Sequence, residues 1–109
     1  MEMDNRKSSE NMISDLVNKL GNSDGFVREH ARLALIDMGE EVAPSLVKAL
    51  ASNQQQVRWE AAKALVKIAD PRSIASLIKA LQDEVFDIRW LAAEALIAIG
   101  TDSIKLLLP

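Results

Sequence analysis

Residues 57–69 read VRWEAAKALVKIA, and closely similar stretches stand at residues 27–39, VREHARLALIDMG, and at residues 88–100, IRWLAAEALIAIG. The arginine in second place falls at positions 28, 58 and 89, so the period is 30 and then 31 residues. A fixed period in this range is typical of an array of stacked structural repeats. These three stretches therefore decide the fold.

A shorter pattern precedes each stretch: LVNKL at residues 16–20, LVKAL at residues 46–50 and LIKAL at residues 77–81. Apolar residues in both patterns are spaced as on one face of a helix. Each repeat is therefore predicted to be a hairpin of an outer helix, from the shorter pattern, and an inner helix, from the longer one. Hairpins that recur in register should stack as successive layers around a shared core.

Seven helices are predicted, because a last apolar stretch follows the third inner helix. Gly39 and Gly100 are expected to end the first and third inner helices, and Thr101 or Asp102 is expected to cap the final short helix. Residues 1–8 are polar and show no periodicity, so they are predicted to form a disordered tail before a repeat domain at residues 9–109.

The inner-helix pattern resembles the HEAT-like repeat of the phycobilisome-lyase type. The resemblance covers about residues 12–108 and rests on positions that agree in all three copies: Arg28, Arg58 and Arg89; Ala31, Ala61 and Ala92; Ala34, Ala64 and Ala95; Leu35, Leu65 and Leu96. It implies an all-α fold, a short right-handed α-solenoid of about three HEAT-like hairpins plus a C-terminal half repeat. The first copy departs from the others, with Arg32 where they have Ala62 and Ala93.

Composition argues against several classes of function. The net charge is −3 and the pI is near 5.1, whereas nucleic-acid binding usually begins from a basic face. Residues 1–10 lack the apolar segment of a secretory signal, and no apolar run approaches the length of a membrane span. We expect a cytoplasmic protein that binds neither nucleic acid nor membranes.

Catalytic and metal chemistry have few residues to draw on. The chain has no cysteine and a single histidine, His30, so the usual nucleophile–base pairs and metal-ligand sets are missing. The four glycines do not form a phosphate-binding loop. We expect no enzyme activity, no cofactor and no metal site.

A helical wheel at about 100° per residue separates the faces of the inner helices. With Val57 at zero, one arc contains Val57, Ala61, Leu65 and Ile68, which predicts the core face. Arg58 borders this arc. Because an arginine recurs in every repeat, a ladder that ties each layer to its neighbour is favoured over an anion site.

Trp59 and Trp90 lie almost opposite the core arc and should form a short indole ladder on the concave side of the array. Two interpretations stay open. The indoles anchor a partner protein, with a mixed-charge rim of Lys63, Glu60 and Glu94. Alternatively, they cover the groove between repeats, on a flank that would face the preceding layer.

The C-terminal end is unusually apolar. Leu91 stands where the first two copies have His30 and Glu60, and the chain finishes with Leu106, Leu107, Leu108 and Pro109. Uncovered apolar ends of repeat arrays tend to be insoluble. The leucines at 91, 106, 107 and 108 are therefore predicted to support self-association as a homodimer, or else to be covered by a continuation of the natural chain.

The favoured function is a protein-interaction or scaffold module that binds another protein through the concave inner-helix face. The resemblance also implies an alternative, a lyase or chaperone subunit for a bilin or another tetrapyrrole chromophore. A DNA-repair role similar to that of HEAT-like alkylpurine glycosylases, and a structural role in self-assembly, are further alternatives.

Overall fold

The computed structural model describes residues 5–107, with side chains from residue 8 to residue 105. Six α-helices and two short 3-10 helices make up this part of the chain, and it contains no β-strand. The all-α fold class is confirmed. The α-helices are α1 (Asn5–Lys19), α2 (Gly25–Met38), α3 (Ala43–Ala49), α4 (Gln55–Ile68), α5 (Ile74–Ala80) and α6 (Phe86–Leu107).

The helices form three consecutive layers, α1 with α2, α3 with α4, and α5 with α6. The inner helices α2, α4 and α6 pack side by side in chain order, as predicted for a solenoid. One continuous core runs through all three layers. Its fully buried leucines include two pairs at equivalent positions of the repeats, Leu35 with Leu65 and Leu46 with Leu77. Leu20 is also fully buried.

Small residues let the inner helices approach closely. Ala31, Ala61 and Ala92 stand at the same position of successive repeats, and all three are buried. A methyl side chain allows close packing of helix backbones without a void. The recurring alanines of the sequence pattern are therefore core residues, as the helical wheel predicts.

The ends of the elements follow local chemistry. The Asp24 carboxylate accepts a hydrogen bond from the Phe26 backbone N–H at 2.9 Å and caps α2. Asp70 accepts one from the Arg72 N–H at 2.8 Å, at the start of the 3-10 helix Pro71–Ser73. Gly39, with a φ of 70°, ends α2 and begins the 3-10 helix Gly39–Val42. Each 3-10 helix leads directly into a short outer helix.

Two predicted boundaries are wrong. Helix α1 begins at Asn5, so residues 5–8 are helical and not part of a disordered tail, while residues 1–4 lie outside the described residues. Helix α6 continues through Gly100 to Leu107, so the separate last helix does not exist. A glycine inside a helix costs only about 1 kcal/mol, and no proline follows Gly100 closely enough to break the helix.

Within residues 5–107, none of the helices combines the length and apolar character that crossing a membrane requires.

Candidate functional site

Three ion pairs establish which flank of the inner helices faces which neighbour. Glu60 of α4 contacts Arg28 and Arg32, both on the preceding inner helix α2. Arg58 of α4 binds Asp83, in the turn that leads to the following inner helix. The flank that carries Arg58 and Ala62 therefore faces the following layer. This is opposite to the direction that the groove-covering interpretation of the tryptophans assumed, in which the same flank would face the preceding layer.

Glu60 is a structural residue and not part of an exposed rim. Its side chain is only 2% exposed and lies between two guanidinium groups. The Arg32 guanidinium donates a hydrogen bond to Glu60 Oε1, and Arg28 Nε lies 3.3 Å from Glu60 Oε2 as a charge contact without hydrogen-bond geometry. A buried carboxylate needs such compensation. The prediction that Glu60 contacts a partner is wrong.

The Arg58 network confirms the predicted ladder between layers. Arg58 Nε donates to Asp83 Oδ2 at 2.8 Å, and Nη1 of the same side chain donates to the Ser52 carbonyl at 3.0 Å. Burial alone would raise the pKa of Asp83. The Arg58 hydrogen bond, a further one from the Val85 N–H and the charges of Arg58 and Arg89 outweigh it, so this pKa is lowered.

Trp59 is half-buried, and its indole is paired with a lysine one helical turn later. Lys63 Nζ lies 4.1 Å from the centroid of the Trp59 ring, which is cation–π geometry. Trp59 stands near the flank that faces α6, and the exposed part of its ring, with the Lys63 ammonium, is available to a ligand.

Trp90 occupies the equivalent position of α6 and is 61% exposed. Its Nε1–H donates a hydrogen bond to Glu94 Oε1 at 2.9 Å, so this indole is also oriented by a charged residue one turn later. No further layer covers it within the described part of the chain. The structure thus places Trp59, Lys63, Trp90 and Glu94 on one surface of the inner helices, which we call the inner-helix surface.

Of the predicted self-association residues, only Leu91 has a side chain among the described residues. It is half-buried and packs against the core. Its part in self-association stays a prediction. The side chains of Leu106 and Leu107, and all of Leu108, lie outside the described residues.

Two other candidate sites give no arrangement for catalysis. His30 is exposed, and among the residues that the structure describes no cluster of three or more His, Asp or Glu side chains could hold a metal ion. A groove of about 630 Å³ lies against α1 and α3 and is lined by residues such as Ile13, Ser45 and Lys48. Neither tryptophan lines it.

Sequence reasoning missed the Arg32–Glu60 pair. The signal was present, because Arg32 replaces the alanine of the other copies, and Glu60 is the acidic residue of the next copy on the opposite flank. It also missed a set of exposed apolar side chains at the far end of the array, which includes Phe86, Ile97 and Ile104.

The comparisons with known proteins agree with this architecture. The family model that matches is described as HEAT repeats, and the match spans residues 43–109. No curated protein matches the chain significantly. The matched part is more than half of the chain and contains the second and third layers. The chain belongs to the HEAT-repeat family.

Proposed function

We propose that this protein is a non-catalytic interaction module that binds a partner protein through the inner-helix surface. HEAT repeats generally serve as protein-interaction scaffolds. The observation that carries the proposal is the state of Trp90, which is largely exposed and yet held in one orientation by Glu94. An exposed, preoriented indole loses little conformational freedom on binding, and tryptophan is enriched among interface residues that dominate affinity.

The charges beside the two indoles define the partner's chemistry. Lys63 accompanies Trp59, and Glu94 accompanies Trp90 one layer later. Packed helices lie about 8–10 Å apart, so a partner segment that crosses two layers would meet a positive and then a negative group. We expect a segment with two apolar anchors, an acidic residue near Lys63 and a basic residue near Glu94.

The test is partner capture from a lysate of the source cells, with the wild type and single variants as bait. Trp90→Ala and Lys63→Glu should lose a protein that the wild type retains, whereas Trp90→Phe should keep part of the binding. Met12→Ala is the matched control, because Met12 is an exposed apolar residue on the outer helix α1. Equal capture by all variants would contradict the proposal.

Circular dichroism separates loss of binding from loss of folding. Trp90→Ala should retain helicity and lower the free energy of unfolding by less than about 0.5 kcal/mol, as for other surface substitutions. Trp59→Ala should cost more, about 1–2 kcal/mol, because part of the ring is buried. If both variants unfold the domain, the indoles serve to cover the groove between repeats.

A chromophore lyase or chaperone is a weaker candidate. It derives from the resemblance to repeats of the phycobilisome-lyase type, and the exposed Trp90 ring could stack on a pigment. The groove against α1 and α3 contains neither indole, however, so a protein partner fits the geometry better. An absorbance titration with bilin or haem would favour the pigment if it gave a saturable shift that Trp90→Ala abolished.

A further inference from the structure

Each inner-helix arginine binds a carbonyl of the turn before its own helix. Arg28 Nη1 donates to the Asn22 carbonyl at 2.7 Å, Arg58 Nη1 to that of Ser52 at 3.0 Å, and Arg89 Nη1 to that of Asp83 at 2.7 Å. The first two arginines also reach a carboxylate of the following layer, through Glu60 and Asp83. In these two arginines, Nη1 is fixed by the carbonyl and Nε contacts the carboxylate of the next layer.

Arg89 has no such second partner among the described residues. It forms no ion pair there, and its guanidinium carbon lies 5.5 Å from the centroid of the Phe86 ring. Arg58 occupies the equivalent position one layer earlier. Its guanidinium binds Asp83 and lies 3.6 Å from Glu84, so Arg89 lacks a carboxylate contact to a following layer among the described residues. A carboxylate in front of Arg89 would complete the pattern.

Large apolar residues surround this position on the side that faces away from the second layer. Leu50 of the second layer is 8% exposed because the third layer covers it, whereas its counterpart Leu81 is 38% exposed. Val66 is half-buried, and its counterpart Ile97 is 68% exposed. We call this set the end face, and it consists of Ile74, Ile78, Leu81, Phe86, Ile97 and Ile104, with Trp90 at its edge.

The spacing along α6 indicates a helical occupant. Apolar or small residues fall at positions 86, 90, 93, 97, 100 and 104, which alternate by four and three residues. This is the spacing of a seam that packs along a neighbouring helix. The end face on α5 continues the same surface, so it fits two helices rather than one.

A second copy of this chain is a poor occupant. In a head-to-tail stack, the first layer of the second copy would lie on the end face. The positions that carry acids at the other layer boundaries, Glu60, Asp83 and Glu84, are His30, Asn22 and Ser23 in the first layer. The second copy would therefore offer Arg89 no carboxylate. In a symmetric tail-to-tail pair, the exposed acids of α6, Asp87 and Glu94, would stand on the same flank of both copies. Like charges at an interface are unfavourable.

We infer that the end face docks a helical hairpin of a partner protein, with an acidic residue of that hairpin bound to Arg89. The hairpin would lie on the third layer as the third layer lies on the second. This interface shares Trp90 with the inner-helix surface, but it does not require Lys63 or Trp59. Its chemistry is an apolar helix pair with a carboxylate in the turn before the second helix.

The test uses the intact protein and a synthetic hairpin probe with the sequence of residues 70–105, in which the tryptophan is replaced by phenylalanine. This segment contains Asp83, which accepts a hydrogen bond from Arg58 of the second layer in the intact protein. The receptor contains Trp59→Phe, so that its fluorescence reports Trp90 alone. Docking should shift the Trp90 emission to shorter wavelength in a saturable manner.

A double-mutant cycle isolates the ion pair. Receptor Arg89→Gln and probe Asp83→Asn should each weaken binding about 10-fold, and the two together should weaken it little further. Receptor Lys63→Gln is the matched control and should bind as the parent does. No saturable shift with the parent pair, or a shift that is indifferent to Arg89, would overturn the inference.

A second measurement decides between the partner hairpin and a second copy. Sedimentation of the protein alone should give a monomer mass over the concentrations used in the titration. A dimer that dissociates on Ile97→Glu would show that another copy covers the end face, and the inference would be overturned. The inner-helix proposal is tested separately by Lys63→Glu, because Lys63 lies outside the end face.

Discussion

The Nε atom of Arg58 lies 2.8 Å from Oδ2 of Asp83, so this ion pair connects the second layer to the turn that opens the third. Both side chains are shielded from water, at 11% and 9% exposure. A shielded pair of this kind contributes more to the free energy of unfolding than an exposed salt bridge does. Removal of one partner leaves the other charge buried and unpaired, which is strongly destabilising.

The first prediction concerns pH. The folded pKa of Asp83 lies below its ordinary value of 3.8, so its stabilising effect is complete above that value and is lost as the pH falls through the lower folded value. Urea unfolding should show that Asp83→Asn is less stable than the wild type near neutral pH, and that the gap narrows below about pH 4. The control is Asp37→Asn, whose carboxylate is exposed. A constant gap would contradict the prediction.

The second prediction concerns Glu60. Its replacement by alanine leaves Arg28 and Arg32 largely buried without a counter-charge, so the free energy of unfolding should fall by about 3 kcal/mol. Glu60→Gln should cost less, because the amide oxygen still accepts a hydrogen bond from Arg32. Chemical denaturation measures both.

The next layer boundary supplies a compensating variant for this pair. There, Ala62 and Leu91 occupy the positions of Arg32 and Glu60. The double variant Arg32→Ala, Glu60→Leu should therefore recover part of the loss seen in Glu60→Ala, because it replaces the Arg32–Glu60 pair by apolar packing while Arg28 keeps only its hydrogen bond to the Asn22 carbonyl. A double variant as unstable as Glu60→Ala would show that the ion pair cannot be exchanged for apolar packing.

The third prediction concerns the continuity of α6. A Cβ at Gly100 would meet no atom within 4 Å, so Gly100→Ala should raise the free energy of unfolding by about 0.5–1 kcal/mol. Gly39→Ala is the opposite case, since Gly39 has a φ of 70°, and it should destabilise by about 1 kcal/mol. Thermal melts of the two variants give the comparison. Destabilisation by Gly100→Ala would mean that the helix ends at this residue.

The fourth prediction concerns Ala69, which ends α4 in the left-handed region with a φ of 51°. A side chain is unfavourable there, whereas glycine is not, so Ala69→Gly should stabilise by about 0.5 kcal/mol in spite of its greater entropy when unfolded. Ala75→Gly, inside α5, should destabilise by about 1 kcal/mol. In thermal melts, we expect a higher Tm for Ala69→Gly and a lower Tm for Ala75→Gly.

The repeat pattern was sufficient to predict the layers, the core arc and the arginine ladder, because each depends on spacing within one helix. It could not predict which flank faces which neighbour, since the same spacing fits stacking in either direction. Glu60 was misassigned for this reason, because a wheel of α4 does not show Arg32 on α2. Gly100 was misread as a stop, although the effect of a glycine on a helix depends on the residues that come after it.

Helix α4 has an inner helix on each side, α2 and α6, whereas α6 has one on a single side within the described residues. Stability in a linear array passes only between nearest neighbours. Backbone amides of α4 should therefore exchange with solvent only when the array opens as a whole, and those of α6 through local fraying. A molecule that binds to α6 gives this helix a second neighbour. Binding should therefore suppress local opening of the third layer and, through it, of the layers that precede it.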